Sequence, residues 1–81
     1  MDLSDFREKL DRIDADLIRL LDERMSVSKE IGEYKLANNL PVYDARRENE
    51  ILGRVFDRAE YHKEAVVEVY KTILIESKKL Q

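Results

Sequence analysis

Cysteine is absent from the 81 residues, so neither disulfides nor thiol chemistry can contribute, and a reducing compartment is compatible with the chain. There is one histidine, His62, which excludes a two-histidine metal site. The Glu-x-x-His units of carboxylate-bridged metal bundles are also missing. No glycine-rich phosphate loop occurs, and no stretch alternates apolar and polar residues as a strand would. Internal repeats and low-complexity segments are likewise missing. The opening residues, MDLSDFREKL, contain no apolar core of signal-peptide type, so a cytoplasmic location is expected. The net charge of -3 argues against general nucleic-acid binding, which needs a basic face, although a local basic pocket remains allowed. With 43% hydrophobic and 41% charged residues, the chain is too apolar for disorder and too charged for a membrane protein.

What is present is helical periodicity. Leu3, Phe6, Leu10, Ile13, Leu17, Leu20, Arg24, Val27, Ile31 and Tyr34 follow each other by threes and fours, the signature of a helix packed along its length. From Leu3 to about Leu36 there is no proline and only one glycine, Gly32. Such a helix is roughly 50 Å long at about 1.5 Å per residue. A compact domain of this size has a radius of gyration near 12 Å, or about 30 Å across. The helix therefore outruns its own domain, and its apolar stripe calls for cover from a second copy or a partner. An intertwined homodimer is the expectation, and one domain over residues 1–81 is near the size at which association supplements a small core.

Asn38-Asn39-Leu40-Pro41 ends the first helix, because proline biases the residue before it away from helix. Asp44 is placed to cap a second helix with Glu48 and Glu50 early in it and Ile51, Leu52, Val55, Phe56 and Ala59 on its apolar face. That pattern fades between Glu60 and Lys63. A third helix carries Val66, Val69, Tyr70, Ile73, Leu74, Ser77 and Leu80. The expected fold is all-α, three helices per protomer, with consecutive helices roughly antiparallel.

The polar residues can then be placed. Arg24 sits on the apolar seam and must find an anionic partner there or snorkel outward along its stem; from the residues alone both readings are open. Arg24 and Lys35 lie about three turns and 16 Å apart on similar faces, where two long side chains could clamp a small anion. Arg7 is about 42 Å from Lys35 by the same rise. In an antiparallel dimer Arg7 could instead serve the partner's site, giving two equivalent sites built from both chains. Ser77 and Gln81, four apart, extend the line through Tyr70, Ile73 and Leu74 and suggest recognition of a polar ligand.

Phe6-Arg7-Glu8-Lys9-Leu10, Ile13-Asp14, Leu20-Leu21-Asp22-Glu23-Arg24, Lys35, Pro41-Val42, Asp44, Arg47-Glu48, Glu76-Ser77 and Gln81 together resemble the all-helical chorismate mutases over essentially the whole chain. The resemblance implies an intertwined dimer converting chorismate to prephenate, the shikimate-pathway branch step toward phenylalanine and tyrosine, with no metal or cofactor. It implies that Arg24 and the partner's Arg7 bind substrate carboxylates, and that Lys35 binds a carboxylate and the ether oxygen. Gln81 would donate to the same oxygen. Glu48 would accept from the ring hydroxyl, which the Asp44 amide also meets. Arg47 and Ser77 would line the ring-carboxylate side, with Ile31, Ile51 and Leu74 as apolar walls. Lys78 departs from the family, where an apolar wall is usual, and a solvent-facing side chain is the alternative there.

Each residue also has an ordinary structural reading. Arg24 could belong to an interface ion pair, and Arg7 and Lys35 could be solvated charges. Asp44 is a good cap in its own right, Arg47 and Glu48 suit a first turn, and Ser77 and Gln81 suit a helix end. Two other functions stay in view: an isochorismate-pyruvate lyase with a similar cation set, and a non-catalytic helical dimerisation or regulatory module.

Overall fold

The computed structural model describes residues 1–81 as three helices and no strands: α1 over Leu3–Ala37, α2 over Ala45–Arg58 and α3 over Lys63–Leu80. The first helix begins in a reciprocal cap. The Asp5 amide donates to Asp2 Oδ1 at 3.0 Å and the Asp2 amide donates to Asp5 Oδ2 at 3.1 Å, which satisfies two of the amides every helix start leaves unpaired. At its far end Asn38 Nδ2 donates to the Tyr34 carbonyl at 2.8 Å and the Leu40 amide to the Lys35 carbonyl at 2.8 Å. Asn39 turns the chain at φ 56°, a left-handed conformation that asparagine tolerates better than most residues. Asp44 caps α2 as its position implies, Oδ1 accepting from the Arg47 amide at 3.0 Å.

Helix α3 packs against both other helices, whereas α1 and α2 make no close backbone approach. This corrects the expectation that each helix packs on its predecessor. The connection through Asn38–Asp44 is long enough to carry α2 away from α1, and α3 closes the resulting V from one side. The gap that remains is lined by long side chains, and it is the cleft described below.

The molecule is elongated, 54 × 23 × 15 Å with a radius of gyration of 15.7 Å, well above the value near 12 Å of a compact chain of this length. Its interior is correspondingly small. Only Ser28, Gly32, Ile73, Leu74 and Ser77 are buried, and the first twenty residues are all exposed. Leu10 and Ile13 are each 56% exposed and Leu20 53%, although their spacing is that of a packed seam. No helix is long and apolar enough to cross a membrane.

Candidate active site

Three helix segments converge on a cleft of about 400 Å³, a size suited to a small molecule. From α1 come Arg24, Val27, Ser28, Ile31 and Lys35, one face of three turns. Asp44 and the first two turns of α2 supply Arg47, Glu48 and Ile51. The last two turns of α3 give Leu74, Ser77 and Lys78, followed by Gln81, and the connection before α2 adds Val42. Every residue singled out from the sequence for a ligand site lines this cleft except Arg7, which is exposed near the start of α1 and lines neither this cleft nor the grooves beside Arg58 and Ile73.

The side chains hold one another in place. Lys35 Nζ donates to the Val42 carbonyl at 2.8 Å and to Gln81 Oε1 at 2.9 Å. An ammonium has three protons, so two fix its position and the third is free to meet a ligand. Because the Gln81 carbonyl end is taken, its amide NH2 is left as a donor beside the ammonium. On the other side of the cleft, Arg24 Nη1 donates to Ser77 Oγ at 2.8 Å, leaving the other guanidinium protons for an anion. Ser77 Oγ also lies 2.9 Å from Ser28 Oγ. Both serines are 4% exposed, so the two most buried polar residues are Ser77, which holds Arg24, and Ser28, which holds Ser77. No buried side-chain nitrogen or oxygen lacks a partner.

Three contributions escape the sequence reading. Ser28 falls between the seam positions of α1 and carries no chemistry of its own; its spacing of four from Arg24 is its only signal. Gly32 lets α3 approach: a Cβ there would sit 2.5 Å from the Gln81 Cα and 2.9 Å from its carbonyl oxygen. Lys78, for which a solvent-facing alternative was open, points into the cleft, its Nζ 3.1 Å from Glu48 Oε2. The ammonium goes there because Glu48, on the first turn of α2, offers a carboxylate across the α2–α3 contact.

No group of histidine, cysteine or carboxylate side chains is arranged to hold a metal ion. The arrangement is a set of preoriented cations and amide donors around a small apolar-walled cleft. Four cations, Arg24, Lys35, Arg47 and Lys78, outnumber the two carboxylates of Asp44 and Glu48 in it, and neither histidine nor cysteine lines it. The chain belongs to the chorismate mutase type II family, whose description matches residues 6–81. It is 35% identical over 79 residues to the bifunctional chorismate mutase/prephenate dehydratase of Aquifex aeolicus, covering 90% of this chain but only 22% of that protein. With the chorismate mutase of Methanocaldococcus jannaschii it shares 28% identity over 82 residues, covering 98% of this chain and 83% of that one. A solved structure, a conserved hypothetical protein from Pyrococcus furiosus, superposes with a TM-score of 0.82 at 33% identity, covering 96% of this chain and 92% of the other. The chain thus spans about a fifth of the bifunctional relative and most of the single-function one.

Proposed function

We propose that this chain is a chorismate mutase, an isomerase that rearranges chorismate to prephenate. The observation that carries this reading is the convergence of Arg24, Lys35, Arg47, Glu48, Ser77 and Gln81 from three helices on one cleft. The rearrangement is intramolecular and pericyclic: a carbon–oxygen bond breaks as a carbon–carbon bond forms, and no group passes to the protein. A site for it needs no nucleophile and no metal. It must hold a flexible dicarboxylate in a chair-like reactive shape and stabilise negative charge growing on the ether oxygen.

The cleft suits both tasks. Arg24, held by Ser77, presents its remaining guanidinium protons to one carboxylate. The free proton of Lys35 and the amide of Gln81 lie side by side and together address the ether oxygen. Both are positioned before substrate arrives, so little reorganisation accompanies the charge shift, the condition under which one donor contributes about 3 to 4 kcal/mol. Glu48 accepts from the ring hydroxyl, near the Asp44 amide. Arg47 and Ser77 line the ring-carboxylate side, while Ile31, Ile51 and Leu74 form the apolar walls.

The working species in this reading is a homodimer. The exposed seam of α1 and an apolar groove between α1 and α3, lined by Leu17, Leu20, Leu21, Val66, Val69, Tyr70 and Ile73, leave a surface that a second copy of α1 fits in antiparallel register. That register carries the partner's Arg7 to the cleft, where it supplies the second carboxylate clamp.

The test is loss of chorismate absorbance with purified protein, with prephenate confirmed by acid conversion to phenylpyruvate, for the native chain and Lys35→Ala. Turnover that falls by at least about 10²-fold in the variant supports the reading. Release of pyruvate in place of prephenate would assign a lyase. No turnover from a folded dimer would leave a binding or interaction module as the better account.

A further inference from the structure

We propose that Lys78 is a positioning residue for Glu48 and that the pair sets the affinity of the cleft for a doubly negative ligand. This rests on the mutase reading of the cleft and concerns a residue that reading does not use. Lys78 Nζ lies 3.1 Å from Glu48 Oε2, with the two side chains 33% and 24% exposed, and 4.9 Å from the centre of the Tyr43 ring. Every other ion pair in the molecule joins residues three or four apart on one helix. Lys78–Glu48 alone joins two helices, and it does so inside the cleft.

Two consequences follow from the geometry. The lysine occupies one oxygen of Glu48 and leaves the other to accept from a ligand hydroxyl, so the carboxylate is presented in one orientation. The lysine also changes the charge of the cleft. Among side chains, Arg24, Lys35, Arg47 and Lys78 face Asp44 and Glu48 there, an excess of two positive charges that matches a dicarboxylate. Without Lys78, Glu48 loses its ion-pair partner and the side-chain excess falls to one positive charge, which weakens binding of the incoming dianion. The Tyr43 contact gives Lys78 a second anchor, tying the connection that also supplies Val42 to the end of α3.

The experiment compares the native chain, Lys78→Met, Lys78→Arg, Glu48→Gln and the Lys78→Met/Glu48→Gln double variant. KM and kcat for chorismate are measured alongside calorimetric titration with chorismate and thermal melting. Lys78→Met keeps the apolar stem and is expected to raise KM on the order of tenfold with kcat within about threefold, the scale of one partly screened charge. Lys78→Arg restores the affinity to within about threefold. In the Glu48→Gln background the effect of Lys78→Met should shrink below about threefold, because residues that act through one another do not add. A lowered melting temperature with unchanged chorismate affinity would overturn the proposal, leaving Lys78 a strut between α2 and α3. Additive effects of the two substitutions would also overturn it. If the native chain binds chorismate without turning it over, the mutase reading fails and the affinity ratios still decide the role of Lys78. If it does not bind chorismate, both fail.

Discussion

Gly32→Ala should separate stability from activity. Within α1, five residues before its end at Ala37, the substitution favours the helix by about 1 kcal/mol, since glycine is the weaker helix former. The added methyl, however, would lie 2.5 Å from the Gln81 Cα, 2.9 Å from its carbonyl oxygen and 3.1 Å from its carbonyl carbon. Carbon atoms rest about 3.5 to 4.0 Å apart, so the end of α3 must retreat by roughly 1 Å. These are backbone atoms and no side-chain rotation relieves them. The retreat stretches the 2.9 Å bond from Lys35 to Gln81 Oε1 and carries the Gln81 amide away from the place the ether oxygen would occupy. A displacement of this size at a reacting centre commonly costs about 10²-fold. The expected result is a melting temperature at or above that of the native chain with kcat/KM about 10²-fold lower. Gly53 is the control, because nothing lies within 4 Å of a Cβ there; Gly53→Ala should gain about 0.5 to 1 kcal/mol with full activity. Gly32→Ala retaining kcat/KM within about threefold would refute the argument that close approach of α3 positions Gln81.

Further outcomes can be stated. Arg7→Ala and Lys35→Ala should each be nearly inactive as homodimers, yet unfolding and refolding them together should restore about a quarter of native activity, because half of the resulting dimers carry one intact site of two; no recovery would contradict sites shared between chains. Leu17→Arg should yield a monomer by analytical ultracentrifugation and abolish turnover, since it places a charge in the exposed seam that a second copy would cover in the proposed dimer. Asp44→Ala should cost about 1 kcal/mol in chemical denaturation by removing the α2 cap. Ser28→Ala should lower stability by about 1 kcal/mol through the lost buried hydroxyl contact and weaken the hold on Arg24, read as a fall in kcat/KM.

The helices were legible because periodicity, Pro41 and the Asp44 cap are local signals, and local signals determine where a helix starts and stops. The reciprocal cap of Asp2 and Asp5 carries the same kind of signal, with aspartate in the place where glutamate or glutamine is the usual mark. Arrangement was less legible. That α3 bridges two helices whose backbones stay apart depends on how far the Asn38–Asp44 connection swings α2, and no residue in it announces that. The polar site residues were found through their joint resemblance to a family, since singly each reads as a cap, a seam charge or a surface residue. Ser28, Gly32 and the pairing of Lys78 with Glu48 stayed hidden for a common physical reason: each acts on a neighbour in another helix, and such a neighbour is invisible until the chain is folded.

Of the five buried residues, Ser28, Leu74 and Ser77 line the cleft, and Gly32 meets the residue that completes it. Ile73 alone faces elsewhere, toward the groove between α1 and α3. The chain therefore has almost no interior that is not also its working surface. A large protein can drift in its core while its active site stands still; here the two are one set of side chains under two demands at once. Variation that hardens this molecule must come from its periphery, through helix caps and exposed helix positions such as Gly53, because a substitution aimed at the interior is also one aimed at the cleft.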